Sequence, residues 1–229
     1  MASAVGDARN RPDRRRDTAP PCFYHARVQH ATAATAAVIF DLDGTLTRPY
    51  LDFDAIRAEI GIASGPILEA IDDMPCAAQA RARDILDAHE RAAAEHATLY
   101  PGAADTIRIL HETGHPIAVL TRNARRWVDA VLDRFGITLD ALRTREDGAI
   151  KPSAEPVRSI CRQLHAEPAR SWMVGDYLFD IVSGRRAGTH TVLMIGDRPV
   201  PDFATDADHV IRSLMDLPPI IDAAPPQAR

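Results

Sequence analysis

The sequence predicts an α/β fold, a parallel sheet wrapped by helices on both faces, with an all-helical segment inserted after the first strand. Three observations carry the prediction. From Leu99 onward, helical and strand patterns alternate, which is the rhythm of parallel strands joined by crossover helices. The first apolar run, Ala36-Ala37-Val38-Ile39, has the length of a buried strand and closes on the glycine turn Phe40-Asp41-Leu42-Asp43-Gly44-Thr45. Between the two, residues 52–98 break the rhythm and read as helix throughout.

Each element has its own signal. In the insert, Cys76 to His96 is the longest helical stretch, with Arg83, Asp87, Arg91 and Glu95 spaced as oppositely charged neighbours on one solvated helix face. Pro101-Gly102 precedes an amphipathic helix from Ala103 to Glu112 that Gly114 stops, and Pro116 to Leu120 is the next strand, ending in Thr121-Arg122-Asn123. A helix through Trp127, Val131, Leu132 and Phe135 stops at Gly136, and a short strand lies near Ala141 to Thr144. Lys151-Pro152-Ser153 opens a helix through Val157, Ile160 and Leu164. Trp172-Met173-Val174 is a strand that runs into Gly175-Asp176, and a helix from Phe179 to Ala187 ends at Gly188. Thr191 to Ile195 is a strand, and His209-Val210-Ile211 a short edge strand. The chain thus divides into a disordered extension (1–33), an α/β core (34–51 and 99–217), a helical lid (52–98) and a loose, proline-containing tail (218–229).

Composition narrows the functional classes. A chain of 229 residues that is 46% hydrophobic can bury a full core. Its net charge of -5 argues against a general nucleic-acid binder, which carries a basic face. Cys22, Cys76 and Cys161 are odd in number and widely spaced, so neither a disulfide framework nor a zinc site is indicated, and a cytoplasmic setting fits. No apolar run approaches the roughly 20 residues of a membrane span. The Arg14-Arg15-Arg16 run is followed by Asp17-Thr18-Ala19-Pro20-Pro21 rather than by the apolar stretch of an export signal. Of the 27 basic residues, Lys151 is the sole lysine, which is either chance in an arginine-rich composition or the mark of a place where a planar guanidinium does not serve.

Asp41 and Asp43 stand at the carboxyl end of the first strand, where parallel sheets bind ligands. Their spacing puts both carboxylates on one side of an extended chain, and Gly44 lets the backbone turn away. Like charges about 4 Å apart repel by roughly 4 kcal/mol at an effective dielectric near 20, so the pair calls for a cation, a shared proton or both. A calcium-binding loop is a poor match, because that loop needs glycine at its sixth position and glutamate at its twelfth. Counted from Asp41, Gly44 is fourth and Asp52 is twelfth.

Further polar signals follow at the ends of later elements: Thr121, Lys151, and Asp176 with Asp180. In this order the residues resemble the haloacid dehalogenase-like hydrolase superfamily. Asp41 to Thr45 matches its first motif, Asp-x-Asp-x-Thr or Val; Thr121 matches the second, Lys151 the third, and Gly175-Asp176 with Asp180 the fourth, over about residues 36–216. The resemblance implies a Rossmann-like three-layer fold with a small helical cap. It implies Asp41 as a nucleophile that becomes an aspartyl-phosphate, and Asp43 as the acid that protonates the leaving oxygen and then activates water. It further implies Mg2+ held by the Asp41 carboxylate, the Asp43 carbonyl and Asp176, with Asp180 in support, and phosphate held by Thr121, Arg122 and Lys151. Chemistry asks for the same parts. A phosphomonoester dianion beside Asp41, Asp176 and Asp180 carries more negative charge than one lysine offsets, and Mg2+ suits few carboxylates plus phosphate oxygens. Thr121 precedes a helix, so its hydroxyl and the following amides suit phosphate oxygens.

Members of the superfamily that cleave phosphonates need a cap lysine, which this chain lacks. Dehalogenases lack the second aspartate, and ion pumps carry lysine where Leu42 stands. The expected partner is a small phosphorylated metabolite, such as phosphoglycolate or a sugar phosphate, with no nucleic acid and no membrane. A phosphomutase and a catalytically silent binding protein are the alternatives, and a monomer is favoured with the oligomeric state open. Two features depart from the family pattern: Tyr177 follows Asp176 where a small residue is usual, and the cap is short.

Overall fold

The computed structural model describes residues 36–224 of the chain. Six parallel strands form one sheet: β1 (Val38–Phe40), β2 (Ile117–Leu120), β3 (Ala141–Arg143), β4 (Trp172–Gly175), β5 (His190–Met194) and β6 (His209–Ile211). Their spatial order is β3-β2-β1-β4-β5-β6. The strands β1, β2, β4 and β5 are buried throughout, as strands covered on both faces of a parallel sheet are, while the edge strand β6 leaves Val210 exposed. Alternate residues serve opposite layers. Val38 and Phe40 join Val119, Trp172, Val174, Val192 and Met194 in one core, under helices α4 (Ala103–Glu112) and α5 (Arg125–Phe135). Ile39 joins Ala118, Leu120 and Met173 in the other, under α6 (Glu155–Gln163). The helix after β4, α7 (Leu178–Ala187), packs Ile181 against Leu193 and Ile195.

The strand order reverses between β1 and β4, the position in such sheets where a crevice opens beyond the carboxyl ends. The register Val119↔Phe40↔Val174 levels three strand ends. Asp41, Thr121 and Asp176 therefore leave the sheet side by side, although they are distant in sequence.

Three helices stand between β1 and α4: α1 (Phe53–Ile60), α2 (Ile67–Asp72) and α3 (Cys76–His96). Asp52 caps α1 by accepting from the amides of Asp54 and Ala55, and Gly61 ends it at a φ of 92°. Ile56, Ile67, Ile71, Ala82 and Leu86 give these helices a small core of their own. The two segments that join them to the sheet pair with each other, through Arg48 N–H to the Thr98 carbonyl (2.8 Å) and Tyr100 N–H to the Leu46 carbonyl (2.9 Å).

The charged ladder expected along α3 forms only in part. Arg91 and Glu95 approach to 4.0 Å, but Arg83 pairs with Asp72, and Asp87 accepts from Arg126 and from the Trp127 indole (2.7 Å). The expected solvent face of α3 at Asp87 is thus a contact with α5. A second correction concerns the tail. Residues 218–224 were expected to be loose, yet Leu217–Ala223 forms a helix, α8, that buries Leu217 and Ile221 in the main core. Its prolines sit in the first turn, where helix amides have no partner to lose, and each buried aliphatic side chain contributes about 1.5–3 kcal/mol. The extension at 1–33 and the last residues, 225–229, lie outside the described residues. Among the described residues, no helix is long and apolar enough to cross a membrane.

Candidate active site

Beyond β1 the chain makes one tight turn. The Asp41 amide donates to the Val174 carbonyl (2.8 Å), continuing the β1–β4 ladder, and the amides of Thr45, Leu46 and Thr47 converge on the Leu42 carbonyl. Gly44 is needed here for two reasons. Its φ is +81°, and a Cβ at this position would lie 2.2 Å from Oδ2 of Asp176. Gly175 is needed for space alone, since a Cβ there would lie 2.1 Å from Cγ of Asp180. Both motif glycines make room for carboxylates.

The sole lysine sits at the centre of the site. Its ammonium, on a side chain only 4% exposed, donates to Asp41 Oδ1 and to Asp180 Oδ1, each at 2.6 Å. The other oxygen of Asp180 accepts from the Tyr177 amide (3.0 Å), so Asp180 is both the first-turn acid of α7 and a partner of Lys151. Asp176 accepts at Oδ2 from Nη1 of Arg198 (2.7 Å). Asp43 is held at both oxygens, by the Thr47 hydroxyl (3.3 Å) and by the Asn123 side-chain amide.

Burial pushes Asp41 well above the usual carboxylate range; Lys151 opposes that rise, and the charges of Asp180 and Asp176 add to it. Asp43 is raised by burial as well, against the hydrogen bonds from Asn123 and Thr47. Burial and the neighbouring Asp180 push Asp176 up to about 6 despite Arg198. Lys151 moves the other way from a typical buried amine: burial works against its charge, but Asp180 and Asp41 more than offset it and raise its pKa. These shifts describe an acidic pocket short of positive charge. Carboxylate oxygens of Asp41, Asp176 and Asp180 lie within 4.8 Å of one another. Three hard oxygen donors, with one ammonium and one guanidinium against them, fit a small divalent cation.

Thr121 is buried at the end of β2, and its hydroxyl accepts from the Asn123 amide (3.2 Å). Of the amides expected to follow it as anion donors, that of Ala124 is taken. It donates to Glu90 of α3 (3.1 Å), a buried carboxylate that also pairs with Arg145. An acidic side chain from the helical insert thus occupies the positive end of α5. Burial raises the Glu90 pKa against the charge of Arg145, and the charge of Asp43 adds to the rise.

The Arg122 side chain donates to the Lys151 carbonyl and to Glu69 of α2, and its guanidinium lies 4.9 Å from the centre of the Phe179 ring. Other basic residues near the crevice are likewise engaged within the protein. Arg125 meets Asp147, Arg57 meets Asp54 and His89 meets Glu59, while Arg48 lies over Tyr100. Tyr177 is exposed beside Phe179 and Phe203.

Sequence reasoning missed Asn123, Thr47, Glu90 and Arg198. Asn123 had a signal, an amide residue between a strand end and a helix start, and Thr47 had one in its spacing from Asp43. Glu90 and Arg198 had no signal of their own in the sequence.

The sequence profile of the haloacid dehalogenase-like hydrolases matches residues 35–188. An uncharacterised hydrolase of Saccharomyces cerevisiae is 35% identical over 171 residues, covering 69% of this chain and 76% of that protein. The N-acetylmuramic acid 6-phosphate phosphatase of Pseudomonas putida is 28% identical over 82% of this chain and 96% of its own. The crystal structure of a predicted phosphoglycolate phosphatase from Haemophilus somnus superposes with a TM-score of 0.65 at 20% identity, over 83% of this chain and 99% of that one, a likeness of fold.

Proposed function

We propose, of a chain that belongs to the haloacid dehalogenase-like hydrolases and is a phosphatase of that superfamily, that it hydrolyses a small phosphomonoester with Mg2+ through an aspartyl-phosphate on Asp41. One observation carries this reading: Lys151 bridges Asp41 and Asp180 at 2.6 Å inside a pocket that also holds Asp176.

In the first step an Asp41 carboxylate oxygen attacks phosphorus and the ester P–O bond breaks. The departing alkoxide takes a proton from Asp43, whose raised pKa suits a group that must carry one. In the second step Asp43 takes a proton from water, the water oxygen attacks phosphorus, and the bond to Asp41 breaks to release inorganic phosphate. Asn123 and Thr47 hold the Asp43 carboxylate in place between the two steps. Lys151 stabilises the charge on Asp41 and on a phosphate oxygen, and Thr121 receives another oxygen. Arg122 offers its backbone amide to the phosphate, since its side chain bridges Lys151 and Glu69.

The Asp41 carboxylate, the Asp43 carbonyl and Asp176, supported by Asp180, would hold Mg2+. Bound there, it would neutralise phosphate charge and polarise a phosphoryl oxygen. The helical insert serves as a cap, tied across the crevice by Glu69 to Arg122 and by Glu90 to α5. A phosphorylated metabolite of the size of phosphoglycolate or a sugar phosphate is the substrate class we favour, in line with the substrates named for related phosphatases. The unbridged Cys76 and Cys161 suit a reducing cytoplasm.

Asp41→Asn should abolish release of phosphate from p-nitrophenyl phosphate while the circular dichroism spectrum stays unchanged. Retained hydrolysis would remove Asp41 as the nucleophile. Labelled phosphate that moves within a sugar rather than into water would replace the hydrolase by a mutase.

A further inference from the structure

The side chain of Arg198 is anchored at every nitrogen. Nη2 donates to the Met194 carbonyl (2.8 Å), Nε to the Ile195 carbonyl (3.2 Å) and Nη1 to Asp176 Oδ2 (2.7 Å). Met194 is the last residue of β5, and β5 is paired with β4 in register, Gly175 opposite Leu193. The guanidinium therefore spans from the end of one strand to the residue just beyond the end of its neighbour. Such planar fork geometry fixes direction as well as charge, which a lysine does not do.

On its other side the Asp176 carboxylate lies against Gly44, where a Cβ would come within 2.2 Å. Among the described residues, no other side chain donates to Asp176. Asp41 and Asp180 are oriented differently, by Lys151 at their shared centre and by the Tyr177 amide. Asp176 alone takes its direction from Arg198.

We infer that Arg198 is a positioning residue that locks the direction of the Asp176 carboxylate and so makes the site favour Mg2+ over Ca2+. The inference rests on the proposed role of Asp176 as a metal ligand. Mg2+ demands near-octahedral ligands at about 2.0–2.1 Å, whereas Ca2+ accepts variable geometry at about 2.3–2.6 Å. A carboxylate held in one direction therefore benefits the smaller ion more. The positive charge of Arg198 repels both dications alike, so its effect cancels in the ratio of their affinities.

The experiment is calorimetric titration of MgCl2 and of CaCl2 into the purified full chain, its Arg198→Met and Arg198→Lys variants, and Asp176→Asn. Arg198→Gln replaces Arg198→Met if circular dichroism shows that the latter does not fold. Partners that orient metal ligands typically contribute 10–100-fold in affinity; the inference places that contribution on Mg2+ rather than Ca2+, so both Arg198 variants should lower the Mg2+:Ca2+ affinity ratio by about tenfold. A ratio within about twofold of wild type in either variant, small against that 10–100-fold range, overturns the inference; for Arg198→Lys it would mean that charge suffices. Asp176→Asn reads the premise separately. If it binds Mg2+ as tightly as wild type, or if wild type binds neither ion, the metal-ligand role itself fails and the inference falls with it.

Discussion

Replacing Lys151 by methionine keeps a long side chain in the pocket and deletes its ammonium. In the native site that ammonium stands 2.6 Å from an oxygen of Asp41 and 2.6 Å from one of Asp180, all three groups being nearly inaccessible to water. Removing one partner of a buried ion pair costs about 3–5 kcal/mol, because the charge left behind has neither water nor a counter-ion. At roughly 2–4 °C per kcal/mol for a domain of this size, the metal-free variant should melt about 6–20 °C below wild type at pH 7. The sign of its pH dependence also follows. Without Lys151 the carboxylate of Asp41 lies even further above its unfolded value, so its protonated form stabilises the folded state, and the deficit should shrink as pH falls from 8 to 5. Turnover of p-nitrophenyl phosphate should fall by about 100-fold or more, the usual consequence of losing a group that stabilises transition-state charge. Lys151→Arg should not restore it, since a planar guanidinium does not fit between two carboxylates that a compact ammonium holds. Thermal melts and steady-state kinetics decide the matter. A melting temperature within about 2 °C of wild type, less than 1 kcal/mol, together with undiminished turnover, would refute the reasoning.

Two further outcomes are expected. Asp176 has a folded pKa of about 6 against an ordinary 3.8, so its contribution to stability is fully present below pH 3.8 and is lost as pH rises through 6. Over that interval, at 1.36 kcal/mol per pH unit, the metal-free protein should lose about 3 kcal/mol, with Asp41 and Asp43 adding in the same direction. Chemical denaturation between pH 4 and 8 measures the slope; Asp176→Asn should flatten it, and an unchanged slope would show that Asp176 is not its source. Gly44→Ala places a methyl group 2.2 Å from Asp176 Oδ2 at a φ of +81°, a conformation that costs a residue with a Cβ about 1–2 kcal/mol. Hydrolysis and Mg2+ affinity should fall together while the circular dichroism spectrum holds, and a fully active variant would mean that Gly44 and Asp176 do not press together during turnover.

Much of the fold could be read from local patterns because its elements announce themselves locally. Apolar runs ended by turn signals became β1, β2, β4 and β5, and glycines after amphipathic runs ended α5 and α7 where expected. The longest helix matched its expected span, Cys76–His96. The expectations that differed were those in which a distant partner outweighs local chemistry. The tail from residue 218 looked loose because it carries four prolines, yet Ile221, with Leu217 just before it, fits the main core and draws residues 217–223 into a helix. Asp87 looked solvated because its neighbours on α3 are charged, yet α5 lies against it. Glu90, one turn further along, is buried for the same reason, and no reading of α3 alone can show that.

By itself, the sequence determined the chemistry on offer: two aspartates on a strand-ending turn, a later Gly-Asp with an aspartate one helical turn on, and a single lysine among 27 basic residues. These are properties of residue type and short spacing, which the chain carries whether folded or not. Only the tertiary structure decided how they meet. The sheet reverses its strand order between β1 and β4, so carboxylates 135 residues apart in sequence, Asp41 and Asp176, share one pocket. It also decided that Arg122 bridges Lys151 to the insert, that Glu90 occupies the positive end of α5, and that Arg198 grips Asp176. Such contacts depend on which strand ends and helix faces lie side by side, a long-range outcome of packing two cores against one sheet, and no local pattern records it.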